Sequence, residues 1–138
     1  MIAAVSILTF YLLIDTQIKH FFLLIIFTFL SSFILGNIGT IIGLWAEKFD
    51  HMASATNFVI VPLSFLSGTF YTTDRLPESI QIISKANPFF YMIDGFRYCF
   101  IGTSDGSIFV GIIYLSVLSL LSWFTAYYLY KRGYKIKS

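Results

Sequence analysis

Asp94 and Arg97 stand three positions apart in the run Asn87-Pro-Phe-Phe-Tyr-Met-Ile-Asp-Gly-Phe-Arg97, so on a helix they share a face and can form an ion pair. The stretch around them is apolar, and where water is scarce a pair of opposite charges costs less than either charge alone. Two roles are open to such a pair: a structural clamp, or a polar lining at the outer mouth of a substrate path. Bond-making chemistry has little to work with. His20 and His51 fall in separate loops, Cys99 is the only cysteine, and no nucleophile stands beside a base. A lone cysteine also excludes an internal disulfide and a Cys-based zinc site, leaving Cys99 as a small apolar filler. No glycine-rich loop ending in Lys-Ser/Thr is present, so the chain is not expected to bind ATP itself, nor a metal or other cofactor. It is not expected to be an enzyme.

The elements that must carry these residues are long and apolar. Hydrophobic residues make up 57% of the 138 positions and charged ones 12%, too little polar surface for a water-soluble domain. Residues 21–46, 52–73 and 107–130 contain no Asp, Glu, Lys or Arg, and each is long enough to cross a bilayer. Residues 1–14 form a shorter apolar block, reaching about 21 Å as a helix against a hydrocarbon core of about 30 Å. They lack the basic start of a cleaved secretory signal and read as a partial span. Backbone amides in lipid must be paired within their own segment, and no alternating strand pattern is present. The expected fold is an all-α integral membrane protein: one domain over residues 1–138, about four transmembrane helices with the first short or truncated, and multi-pass topology.

Residues 75–102 are too polar to span and too apolar for an ordinary loop, and Asn87-Pro88 cuts them in two. Leu76, Ile80 and Ile83 lie at helical spacing, which fits a short helix at the interface, and residues 89–101 fit a second one capped by Gly102. The segment reads as an outer re-entrant hairpin before the last span. Lys131, Arg132, Lys135 and Lys137 gather at the end beside Tyr127, Tyr128, Tyr130 and Tyr134, a basic and aromatic edge that places the C-terminus in the cytoplasm. Counting back, the loop with Glu47, Lys48, Asp50 and His51 is cytoplasmic as well. A net charge of +2, spread over most of the chain, gives no footprint for nucleic acid; the expected surroundings are membrane lipids.

Gly36, Gly39 and Gly43 form a small-residue face on residues 21–46, expected to pack closely on another helix, with Asn37 hydrogen-bonding across. Pro62 removes a helical hydrogen bond, with Ser64, Ser67 and Gly68 following, so it is a possible hinge or an inert bend.

Three strings taken together, Leu66-Ser-Gly-Thr-Phe-Tyr71, Arg75-Leu-Pro-Glu78 and Asn87-Pro-x-x-Tyr-x-x-Asp-Gly-x-Arg97, resemble the C-terminal half of type-two ATP-binding-cassette export permeases, from about Phe21 onward. The resemblance implies a bacterial inner-membrane permease that pairs with a second permease copy, as homodimer or heterodimer. It also implies separate ATP-binding-cassette ATPase subunits that hydrolyse ATP to drive export of a lipid-linked, polysaccharide or drug-like substrate. Glu47, Lys48, Asp50 and His51 then become a possible ATPase-docking loop. The family's first spans and main coupling loop have no counterpart here, so a separate fragment carrying them is a further possible partner. The alternative is a truncated, non-transporting membrane remnant or assembly factor.

Overall fold

The computed structural model describes residues 18–46, 48–68 and 77–132, with the backbone alone at 78–80. The described residues contain helices and turns without a strand. In chain order the helices are α1 (Phe21–Trp45), α2 (Phe49–Ala55), a π-helical turn (Thr56–Ile60), α3 (Val61–Phe65), α4 (Glu78–Ala86), α5 (Pro88–Ile101) and α6 (Ile108–Lys131). The expected partial span over residues 1–14 lies outside the described residues, as do the tail residues Lys135 and Lys137.

α1 and α6 have 25 and 24 residues, about 36–38 Å at 1.5 Å per residue, and both are apolar enough to cross a membrane. Only 22% of the apolar window of each is buried inside the chain. Phe22, Phe29, Phe109, Leu120 and Phe124 stay exposed around their circumference, a surface suited to lipid and costly in water.

The two spans run side by side in the same direction. Lys19 and His20, just before α1, donate backbone N–H bonds to the Cys99 carbonyl at 3.0 and 3.3 Å, and α6 begins a few residues after α5 ends. Both spans therefore start at one end of the molecule, here termed the head end. Leu24, Phe27, Ser31 and Ile34 of α1 form its buried stripe, and Gly111, Leu115, Ser119, Ser122 and Ala126 form that of α6, at the three- and four-residue steps of one helix face. Gly111 makes room for Tyr91 of α5, while the small residues farther along α6 let α1 approach closely, the usual solution where lipid supplies no hydrophobic drive between helices. Ser119 and Ser122 spend their hydroxyls on the Ser116 and Ser119 carbonyls of their own helix, at 2.8 and 2.9 Å.

The expected glycine face lies outside this seam. Gly36, Gly39 and Gly43 have nothing within 4 Å of where a Cβ would stand, so the glycine face packs on no described part of the chain. Asn37, expected to reach another helix, donates instead to Phe33 O of its own at 2.9 Å.

The segment expected to span residues 52–73 starts earlier and is broken. Its helical rod begins at Phe49, so Asp50 and His51 sit in a first helical turn rather than in a loop, and His51 N–H bonds Lys48 O at 3.0 Å. Glu47 lies outside the described residues. The π turn at residues 56–60 immediately precedes Pro62, and Val61 N–H reaches back to Thr56 O. A proline ring crowds the carbonyl one turn before it and offers no N–H, and widening the preceding turn relieves both problems. The rod ends at Phe65, and the chain then turns through residues 66–68, where Gly68 has φ 78°.

α4 and α5 form a helical hairpin broken at Asn87-Pro88. Buried Leu24, Phe27 and Ile34 of α1, Met92 and Cys99 of α5 and Leu115 of α6 make the core, so α5 packs against both spans beside their seam.

Candidate functional site

The polar groups of the hairpin converge at two levels. At its apex Asn87 caps α5: its side-chain oxygen accepts the Phe89 N–H at 3.0 Å, and Pro88 occupies the first turn, where no N–H is needed. The other half of the Asn87 amide donates to Leu63 O on α3 at 2.6 Å. On the opposite side Tyr114 of α6 donates its hydroxyl to Ala86 O at 2.6 Å. Tyr114 lies about 9 Å along α6 from its first residue, so the apex sits well below the head end. The Tyr91 ring rests against that of Tyr114, centroids 4.9 Å apart.

About two to three turns of α5 bring the charged groups to the head end. Asp94 and Arg97 share a face of α5, yet they are not each other's hydrogen-bonding partners, and the expected ion pair is corrected. The Asp94 carboxylate accepts the backbone N–H groups of Asp105 and Gly106 at 2.8 and 3.0 Å, fastening the link between α5 and α6. Arg97 reaches across that link to Asp105 at 2.9 Å, and with its other nitrogen to Gly68 O at 2.7 Å. Fixed N–H donors satisfy the buried Asp94 carboxylate, and the long guanidinium fork is drawn to the Asp105 carboxylate beyond it. Helical spacing does not point to Asp105, although a charged Asp-Gly step immediately before a span is a usable signal.

Around this cluster the backbone fits without slack. Gly68 and Gly102 take left-handed φ of 78° and 84°, the first presenting its carbonyl to Arg97 and the second ending α5. Gly95 is a notch: a Cβ there would stand 2.3 Å from the Phe27 ring. Lys19 brings its ammonium to the Ile101 carbonyl, and His20 stacks flat on Tyr98 at 4.8 Å. A cavity of about 280 Å³, lined in part by Lys85, Phe90, Tyr91, Asp105 and Val110, lies between the hairpin and the start of α6.

Lys48, Asp50 and His51 lie at the far end of α1, where the His51 ring approaches that of Trp45 at 5.7 Å; the structure does not bring them to the hairpin. Pro62 is linked to it through its neighbour Leu63. Among the described residues no three His, Cys, Asp or Glu gather as a metal site. The arrangement can hold charge, position backbone and line a path.

Comparison with known proteins gives a consistent result. The family described as ABC-2 type transporter matches residues 1–101. The inner membrane transport permease YadH of Escherichia coli K12 is 33% identical over 109 residues, covering 79% of this chain and 43% of that protein. YadH proteins of Escherichia coli O157:H7 and Shigella flexneri match to the same extent. The chain thus spans less than half the length of the curated relatives it matches. No solved structure matches it significantly.

Proposed function

The chain belongs to the ABC-2 type transporter family, and from that premise we propose that it is part of the membrane-spanning permease of an ATP-binding-cassette exporter. In this reading α1 and α6 cross the inner membrane, the head end with its hairpin faces outward, and the C-terminus is cytoplasmic. ATP is hydrolysed by a separate ATPase subunit, which the segment around Lys48, Asp50 and His51 contacts. A second permease copy and the segments that the longer relatives possess complete the path, and the transported substrate is an amphipath of the lipid-linked, polysaccharide or drug-like kind.

The observation that carries this reading is the hairpin. The residues that define the string resembling export permeases each have a part in the fold. Asn87 and Pro88 start α5, Tyr91 meets α6, Asp94 and Arg97 fasten the link, and Gly95 admits Phe27. Such a device holds polar groups below the head end of an apolar bundle, a cost justified where something polar must pass.

The test is co-expression of the chain with an ABC-type ATPase encoded beside it and with any adjacent fragment bearing further spans. A permease part co-purifies with the ATPase and raises its ATP turnover in lipid. A chain that purifies alone and leaves turnover unchanged fits the remnant reading instead.

A further inference from the structure

The rod formed by α2, the π turn and α3 contributes no side chain to the core, which α1, α5 and α6 build between them. Most of its residues are exposed, among them Phe49, Phe58, Val59 and Val61. Among the described residues it meets the three-helix core at two places: the turn after α1, and the side of α5 facing α3. At the second place two side chains of the hairpin hold it, each by one hydrogen bond to a backbone carbonyl. These are Asn87 Nδ2 to Leu63 O at 2.6 Å and Arg97 Nη2 to Gly68 O at 2.7 Å.

The two bonds bracket the end of the rod, one inside its last helical turn and one in the buried turn beyond it. Both acceptors are backbone carbonyls, and among the described residues the rod places no side chain in the three-helix core that its departure would have to repack. A compliant element lies just ahead of them. In the π turn Val61 donates to Thr56 O, five residues back. Returning that turn to α-helical bonding rotates everything after it by about 100°, the angle per residue of a helix of 3.6 residues per turn. Such a rotation would carry the Leu63 and Gly68 carbonyls away from their donors.

We propose that the rod is a swinging arm, latched to the hairpin by Asn87 and Arg97 and released by rotation at the π turn, so that α3 parts from α5 and a crevice forms between them at the head end while α1, α5 and α6 move as one body. What passes the crevice depends on the transport reading; the latch does not.

Spin-label distances in the full chain test it, in lipid and with Cys99 replaced by Ala. One label pair, at positions 61 and 83, spans arm and hairpin; the other, at 25 and 117, spans α1 and α6, and all four positions are exposed. Asn87→Asp keeps the oxygen that caps α5 and removes the donor to Leu63 O, while Arg97→Gln removes the fork. With both changes the 61–83 distribution broadens or gains a longer population, and the 25–117 distribution stays as in the unaltered chain. Asp105→Asn, which removes the other partner of Arg97, leaves the 61–83 distance unchanged. If the double variant does not fold, Asn87→Asp alone gives the same broadening in smaller measure. An unchanged 61–83 distance in the folded variants overturns the latch, and so does equal broadening of both pairs. A second arm adds the partner ATPase and nucleotide: if the variants release the arm but nucleotide never does, the latch stands and the transport reading fails.

Discussion

Gly95 shows how a single hydrogen in place of a methyl group can fix an interface. Its missing side chain holds the Phe27 ring, which is 1% exposed, so Gly95→Ala must push that ring or α5 aside. We expect a loss of about 1–3 kcal/mol, the usual cost of overpacking, read as a lower melting temperature in detergent. Gly39→Ala is the contrast. Its Cβ meets nothing within 4 Å, so the isolated chain should keep its melting temperature and gain slightly in helix propensity. Asp94 and Arg97 separate in the same manner. Asp94→Asn weakens the bonds to two N–H groups and should cost about 1–3 kcal/mol. A double-mutant cycle of Arg97→Gln with Asp105→Asn should give a coupling on the order of 1 kcal/mol, since both side chains are mostly buried, at 22% and 16% exposed. The Asp94 and Arg97 cycle should give less, and the reverse ranking would show that the two contact each other directly after all.

At the scale of elements, much of the architecture was readable. The helix break at Asn87-Pro88 and the αL stop at Gly102 follow from local backbone chemistry, and both stand where the sequence put them. What local chemistry could not reveal is which face of a helix finds a neighbour. Gly36, Gly39 and Gly43 have the spacing of a packing face but meet open space, whereas the working seam of α6 draws on Gly111, Ser119, Ser122 and Ala126, whose smallness is diluted among large residues. The partner of Arg97 was hidden for a related reason. Three-residue spacing makes Asp94 a neighbour, but only the fold of the link brings Asp105 closer. The π turn was legible only as a bend at Pro62, because a proline marks where a helix is disturbed and not how the disturbance is absorbed.

For the whole molecule the sharpest prediction is orientation. With the head end outside, a cysteine at position 81 should react with a membrane-impermeant reagent from the outside alone, and one at position 135 from the cytoplasm alone. Labelling of both from one side would overturn the topology. The end of α6 supports the assignment: Lys131 and Arg132 lie over the rings of Tyr127 and Tyr128 at 6.0 and 4.3 Å, an aromatic and cationic border suited to the headgroup layer.

The direction in which α5 runs has an electrical consequence. α1 and α6 both begin at the head end and α5 finishes there, so two positive helix poles surround one negative pole. Lys19 adds a full positive charge against the last carbonyls of α5, and the Cys99 carbonyl takes two of the N–H groups leading into α1. Parallel spans alone would leave their dipoles summed across the bilayer, where little water is present to screen them. The reversed helix offsets part of that sum at the end where it ends. α5 is too short to reach the far ends of its neighbours; there the N-terminus of α2 stands beside the negative pole of α1, and Lys131 and Arg132 supply the countercharge to that of α6.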